Sequence, residues 1–167
     1  MSNYHEIQHA PRALRTLLTV VLLIEAVVMA IAFIGATSVQ GSSTTEIFAF
    51  FVAAVVLPST LIILLMFATL SVTVDESGVS LMMRPFQLKV RHYAWADIAE
   101  ITVRPVSPMG EFGGWGIRGW GNKIGYIWAG NNGIDVLTTN GKRLIVSITD
   151  AELARKAIDV NRPRSVR

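Results

Sequence analysis

Three patterns in this chain resemble sites that do chemistry. His5-Glu6-Ile7-Gln8-His9 matches HExxH, in which two histidines on one helical face hold zinc and the glutamate acts as base. That arrangement needs a stable helix and a further ligand. Here the motif begins at residue 5, Pro11 opposes extension of a helix, and the only other histidine is His92. The reading is a flexible tail and no metal site. Gly114-Trp115-Gly116-Ile117-Arg118-Gly119 matches GxGxxG, which cradles a dinucleotide only between a strand and a helix. Trp120-Gly121-Asn122-Lys123 does not open a helix, and Asp135, near the acidic spacing, has no helix to act with. The third pattern is a lone carboxyl, Glu25, inside an apolar stretch. No catalytic residue and no cofactor are assigned, so the chain reads as a non-enzyme.

Glu25 is positioned by a membrane segment. Residues 16–36 hold that single charge and twelve Leu, Ile, Val or Phe. A spanning helix takes about 20 residues. Twelve contributions of roughly −0.3 to −0.6 kcal/mol outweigh a central carboxylate at about +2.5 to +3.5 kcal/mol. The stretch exceeds a signal-peptide core and lacks a clear cleavage site, so it reads as a retained helix. A second uncharged run covers 47–74, and its end alternates with a strand period, which places the helix end near Phe67. Pro58 leaves the carbonyl of Ala54 without a donor. Glu25 and Pro58-Ser59-Thr60 then fall at similar depth, forming an intramembrane polar contact. Arg12 and Arg15 flank the first helix, whereas 37–46 contains no Lys or Arg. The expected topology is multi-pass in the inner (cytoplasmic) membrane with both termini cytoplasmic.

The composition agrees with two solvents for one chain. Of 167 residues, 51% are hydrophobic and 16% charged, mean hydropathy is +0.47, and there is no cysteine. That excludes disulfides and thiolate metal sites. From residue 70 the pattern predicts strands at 70–74, 78–84, 86–91, 98–104, 124–128, 133–139 and 142–148. Turns fall at Asp75-Glu76-Ser77-Gly78, Asn131-Asn132-Gly133 and Asn140-Gly141. Thr149-Asp150-Ala151-Glu152 reads as a capping box opening a final helix. The expected division is a tail at 1–15, a two-helix transmembrane hairpin at 16–68, a β domain at 69–160 and a basic tail at 161–167.

The order strand-DESG-strand-RP-strand, then Trp95-Ala96-Asp97-Ile98, then Gly113-Gly114-Trp115-Gly116-Ile117-Arg118, then the Asn-Gly hairpin and Thr-Asp-Ala-Glu-Leu, resembles bacterial membrane-anchored pleckstrin-homology-like domains. The likeness covers roughly residues 70–160. It implies an α+β membrane protein with a small seven-stranded antiparallel barrel capped by a C-terminal helix. It implies no catalysis and no phosphoinositide site.

Residues 110–125 hold seven glycines with Trp115 and Trp120. One reading is a long connection whose tryptophans pack on the barrel. The other is a docking loop in which Trp115, Arg118, Trp120 and Lys123 contact lipid headgroups or a protein. Arg155, Lys156, Arg162, Arg164 and Arg167 read as a solvated helix face and tail, without a nucleic-acid motif. The expected partners are the lipid bilayer and a protein partner or second copy, with no nucleic acid. The expected function is display of the domain for partner binding or organisation of a membrane complex. The alternative is an accessory subunit of a transporter or enzyme complex, with Glu25 or the glycine-rich loop contributing to a shared site.

Overall fold

The computed structural model of the chain describes residues 3–37, 45, 46, 49 and 52–163. The chain before Ala10 and the chain from Ala68 onward form one compact unit, and Ala10–Phe67 forms another.

In the second unit, α1 (Arg12–Thr37) is long and apolar enough to cross a membrane. Most of its large side chains, such as Leu23, Val27 and Ile31, are exposed, unlike those of a core helix. Among the described residues the second expected spanning helix is not found as such. A π-helical turn of five residues (Val52–Val56) leads into α2 (Leu57–Phe67, eleven residues). The described stretch rises about 24 Å at 1.5 Å per residue, short of about 30 Å of hydrocarbon. Pro58 has no N–H to donate one turn back, and the helical register loosens in the turn that precedes it. Residues 47, 48, 50 and 51 of the expected span lie outside the described residues.

The β-rich unit is two sheets and not a seven-stranded barrel. The first has the order β1 (Tyr4–His9), β2 (Thr69–Asp75), β3 (Gly78–Arg84), β4 (Arg91–Ala94), all antiparallel. The second has the order β5 (Ile98–Pro105), β8 (Asn132–Thr138), β9 (Arg143–Ile148), β7 (Lys123–Ile127), β6 (Gly116–Trp120). Its β7–β9 pair is parallel, which an all-antiparallel barrel does not contain. Strand β2 alternates as its sequence demands, with Leu70, Val72 and Val74 fully buried. Val79, Leu81 and Met83 of β3 join them, as do Ile134, Val136, Val146 and Ile148 from the second sheet. The last helix, α4 (Ala151–Asn161), buries Ala154, Ala157 and Ile158 and touches β1, β2, β5 and β8. Its cap is Asp150, whose Oδ1 accepts from the Leu153 N–H at 2.9 Å. The cap is thus one residue later than expected.

The segment expected to trail as a tail is the first strand, and its polar residues face inward. Tyr4 and Gln8 are buried while Ile7 is half exposed. Gln8 Nε2 donates to the Ser147 carbonyl at 2.6 Å, and its Oε1 accepts from the Ala129 N–H at 2.9 Å. The Tyr4 hydroxyl donates to Glu6, and burial first, then that bond, pushes its pKa above the usual range. Glu6 also accepts from the Thr149 hydroxyl at 2.7 Å. Extended backbone separates His5 from His9 by about 13 Å, too far to share a metal. The His5 ring bonds the Thr73 hydroxyl instead, at 2.8 Å. Among the described residues no group of three His, Cys, Asp or Glu is placed to hold a metal ion.

Candidate docking site

Two places gather the residues singled out in the sequence. The first is in the apolar unit, where the Ser59 hydroxyl donates to Glu25 Oε2 at 3.2 Å. Thr60 turns away and donates to the Val56 carbonyl at 2.6 Å. Oε1 of Glu25 is buried and has no hydrogen-bond partner among the described residues. The polar contact is therefore one bond, with half of the carboxyl unsatisfied.

The second is the glycine-rich stretch, on the face of the second sheet opposite the main core. Ser107 caps a short helix, α3 (Pro108–Phe112), by accepting from the Gly110 N–H at 3.1 Å. Proline occupies the first turn and Gly113 closes it with φ 65°. This cap aims Phe112 down onto the sheet, where it packs with Val106, Ile127 and Ile145. A Cβ at Gly125 would overlap the Phe112 ring, so bare backbone is what admits the ring there. Gly125→Val should cost about 1–3 kcal/mol by overpacking, read as a lower urea midpoint at unchanged slope. An unchanged midpoint would show that Phe112 does not need the space.

An ion-pair chain ties α3 to four strands. Arg143 Nε reaches Asp135 Oδ1 at 2.8 Å, and Arg104 Nε reaches Asp135 Oδ2 at 2.7 Å. Arg104 then grips Glu111 with two bonds, at 2.9 and 2.7 Å, and Lys123 Nζ meets Glu111 Oε1 at 2.7 Å. Lys123 also lies 4.8 Å from the centroid of the Phe112 ring. The Arg104 hydrogen bond is the main reason that Glu111 is pulled down to about 2. Burial pushes the Asp135 carboxyl up, but the bonds from Arg143 and Arg104 outweigh it and hold it below its usual value. Both carboxylates stay ionised and bonded near neutrality, which suits a fixed scaffold and not acid–base work.

Above this chain, β6 and β7 form a hairpin turning at Gly121, φ 59°. Trp120 stands at its tip, 92% exposed, and does not pack on the sheet. Arg118, Trp120 and Lys123 line a shallow depression of about 240 Å³ with Glu111 and Phe112. Trp115 does not line it; its carbonyl accepts from Arg118 Nε at 3.1 Å. The structure thus brings together three of the four expected docking residues. Sequence reading missed Arg104, Glu111, Phe112 and Asp135. The Ser107-Pro108 cap was a local signal for a helix there. No local signal pairs Asp135 with arginines 31 and 8 positions away. The strand Gly116–Trp120 leaves no helix after the GxGxxG glycines.

The fold and site define a two-sheet α+β domain interrupted, between its first and second strands, by an apolar helical unit. Comparison with protein-family models and with curated proteins finds no match to this chain.

Proposed function

We propose that the protein is a non-enzymatic membrane-anchored scaffold, of the pleckstrin-homology-like kind its motifs resemble, that presents the β domain to a protein partner in the cytoplasm. The observation that carries this reading is Trp120. A large aromatic side chain is held in solvent on a hairpin whose base is pinned by Lys123, Glu111 and Phe112. Rigid exposed tryptophans beside arginine are the residue types that anchor interfaces, because little conformational entropy is lost on binding. Arg118 and Lys123 beside it favour a partner surface that carries carboxylates.

Connectivity supports the membrane assignment. Strand β1 precedes α1, and β2 follows α2, yet the two strands pair along their whole length from Tyr4↔Val74 to His9↔Thr69. Cleavage after α1 would remove a strand of the folded domain, which argues against a signal peptide. A chain that crosses the bilayer through α1 must return to the same side before Thr69. Arg12 and Arg15 beside α1 support a cytoplasmic location for that side.

A photo-cross-linking amino acid at position 120 in native membranes tests the function. A discrete protein adduct is expected, and Trp120→Ala should abolish co-purification of the same protein. Stability should move by less than about 0.5 kcal/mol, since the side chain is exposed. Absence of any protein adduct would sink the docking reading. The buried, unbonded Oε1 of Glu25 favours a second reading, an accessory subunit of a transporter or enzyme. An adduct with such a protein would select it.

A further inference from the structure

The alternation of Phe86, Leu88 and Val90 is that of a buried strand, but the structure leaves all three in solvent. They are 43%, 92% and 58% exposed, in the loop 85–90 between β3 and β4. The loop is nevertheless built. Gln87 turns inward, donating its N–H to the Met83 carbonyl at 2.8 Å and its Nε2 to the Tyr126 hydroxyl at 2.9 Å. Its Oε1 accepts from the Met83 N–H at 3.0 Å. With Gln87 clamped, its neighbours Phe86 and Leu88 are held outward.

The register shows where this loop emerges. Arg84, its last strand residue, pairs with Thr69, and Thr69 pairs with His9. His9 and Thr69 are the strand residues next to the two junctions with the apolar unit. The loop therefore leaves the sheet at the same end as the chain that runs to α1 and from α2. Charge is also sorted. No Asp or Glu occurs between Glu76 and Asp97, while Arg84, Lys89 and Arg91 flank the apolar side chains. Arg91 lies over the Tyr126 ring. Arg84 and Lys89 are exposed and form no ion pair among the described residues.

We propose that the 85–90 loop is a membrane-contacting element, with Phe86 and Leu88 entering the headgroup region of the bilayer and Arg84 and Lys89 binding its anionic lipids. This rests on the reading that α1 crosses that bilayer. Apolar side chains beside basic ones are the pairing that an anionic lipid surface recognises, because the interface accepts both and its potential attracts the cations. The loop would give the domain a second attachment besides its two covalent junctions, restricting its rotation over the membrane.

The absence of native cysteine allows one label per molecule. Leu88→Cys, Glu76→Cys and Val28→Cys, each carrying an environment-sensitive fluorophore, are compared in the full chain. The protein is reconstituted in nanodiscs with about a third anionic lipid and a nitroxide-labelled lipid as quencher. Glu76 lies in the β2–β3 turn, about 20 Å along the sheet from Arg84. Quenching is expected at positions 28 and 88 and not at 76. Removing the anionic lipid, or combining Arg84→Gln with Lys89→Gln, should lower the quenching at 88 by more than half and leave 28 unchanged. Quenching at 28 with none at 88 overturns the loop inference and leaves the membrane reading standing. Quenching at neither overturns both. Quenching at 88 that ignores lipid charge overturns the role given to Arg84 and Lys89.

Discussion

A fragment that begins at Ala68 and runs through α4 is expected to be unfolded, although it contains all seven strands that the sequence pattern marks. Without Tyr4–His9 it lacks the edge partner of β2 along six residues. The Ser147 carbonyl and the Ala129 N–H lose their bonds to Gln8, at about 1–3 kcal/mol for each buried group left unmade. Loss of the buried Tyr4 ring removes about 3 kcal/mol more. Together these approach the total stability of a small domain, about 5–15 kcal/mol. His9 and Thr69 are directly paired, so Asn-Gly in place of Ala10–Phe67 leaves the three-residue loop Asn-Gly-Ala68 between them, a common hairpin connection, and keeps the Ala68 carbonyl that accepts from Trp128 Nε1. That variant should fold and show cooperative urea unfolding by circular dichroism. Cooperative unfolding of the shorter fragment at the same midpoint would show that β1 is dispensable.

Asp135→Asn should be the most damaging single charge change in the domain. The Asp135 side chain is 2% exposed and is held from both sides by Arg104 and Arg143. Breaking a buried pair costs about 3–5 kcal/mol. Both arginines reach solvent here, at 31% and 55% exposure, so the expected loss is about 2–3 kcal/mol. For a domain of this size that corresponds to a melting temperature lower by about 10 °C or more. The pH dependence gives an independent check. Asp135 and Glu111 have folded pKa values below their ordinary 3.8 and 4.5, with Glu111 at about 2. A depressed carboxyl contributes stability above its unfolded pKa and loses it as pH falls through the folded value. Wild-type stability should therefore drop between about pH 4.5 and 2, and the difference from Asp135→Asn should shrink as Asp135 itself protonates below 3.8. A constant difference across that range would mean that the ion pairs contribute nothing.

Much of the β domain was legible wherever burial and sequence period coincide. Strands β2, β3, β5, β8 and β9 fall within a residue or so of the positions read from apolar runs and turns: β2 and β3 alternate in burial, whereas β8 and β9 are buried almost throughout. Three strands escaped for physical reasons. In β1 the inward face is Tyr4, Glu6 and Gln8, and the outward face includes Ile7, so hydrophobic alternation points the wrong way. In β6, Gly116–Trp120 is almost wholly exposed and is held by backbone pairing to β7. Strand β4 was placed at 86–91 because Phe86, Leu88 and Val90 alternate, but it runs from Arg91 to Ala94. Of the docking residues, Trp120 was marked by its type and its glycine neighbours. Its exposure follows from its place at the end of the β6–β7 hairpin, while Phe112 packs on the sheet.

By itself the sequence determined a helix at the N-terminal side long and apolar enough to cross a membrane, a β-rich remainder, and a carboxyl at mid-helix. These are local properties, because hydropathy, strand period and turn chemistry act over a few residues. The tertiary structure alone decided that the second apolar segment takes a π-helical turn before Pro58 and that the strands divide into two sheets. It also decided that residues 4–9 belong with residues far along the chain. Those outcomes depend on pairings such as Gln8 with Ser147 and Asp135 with Arg104, whose partners are set by where the backbone returns. No local pattern encodes that return.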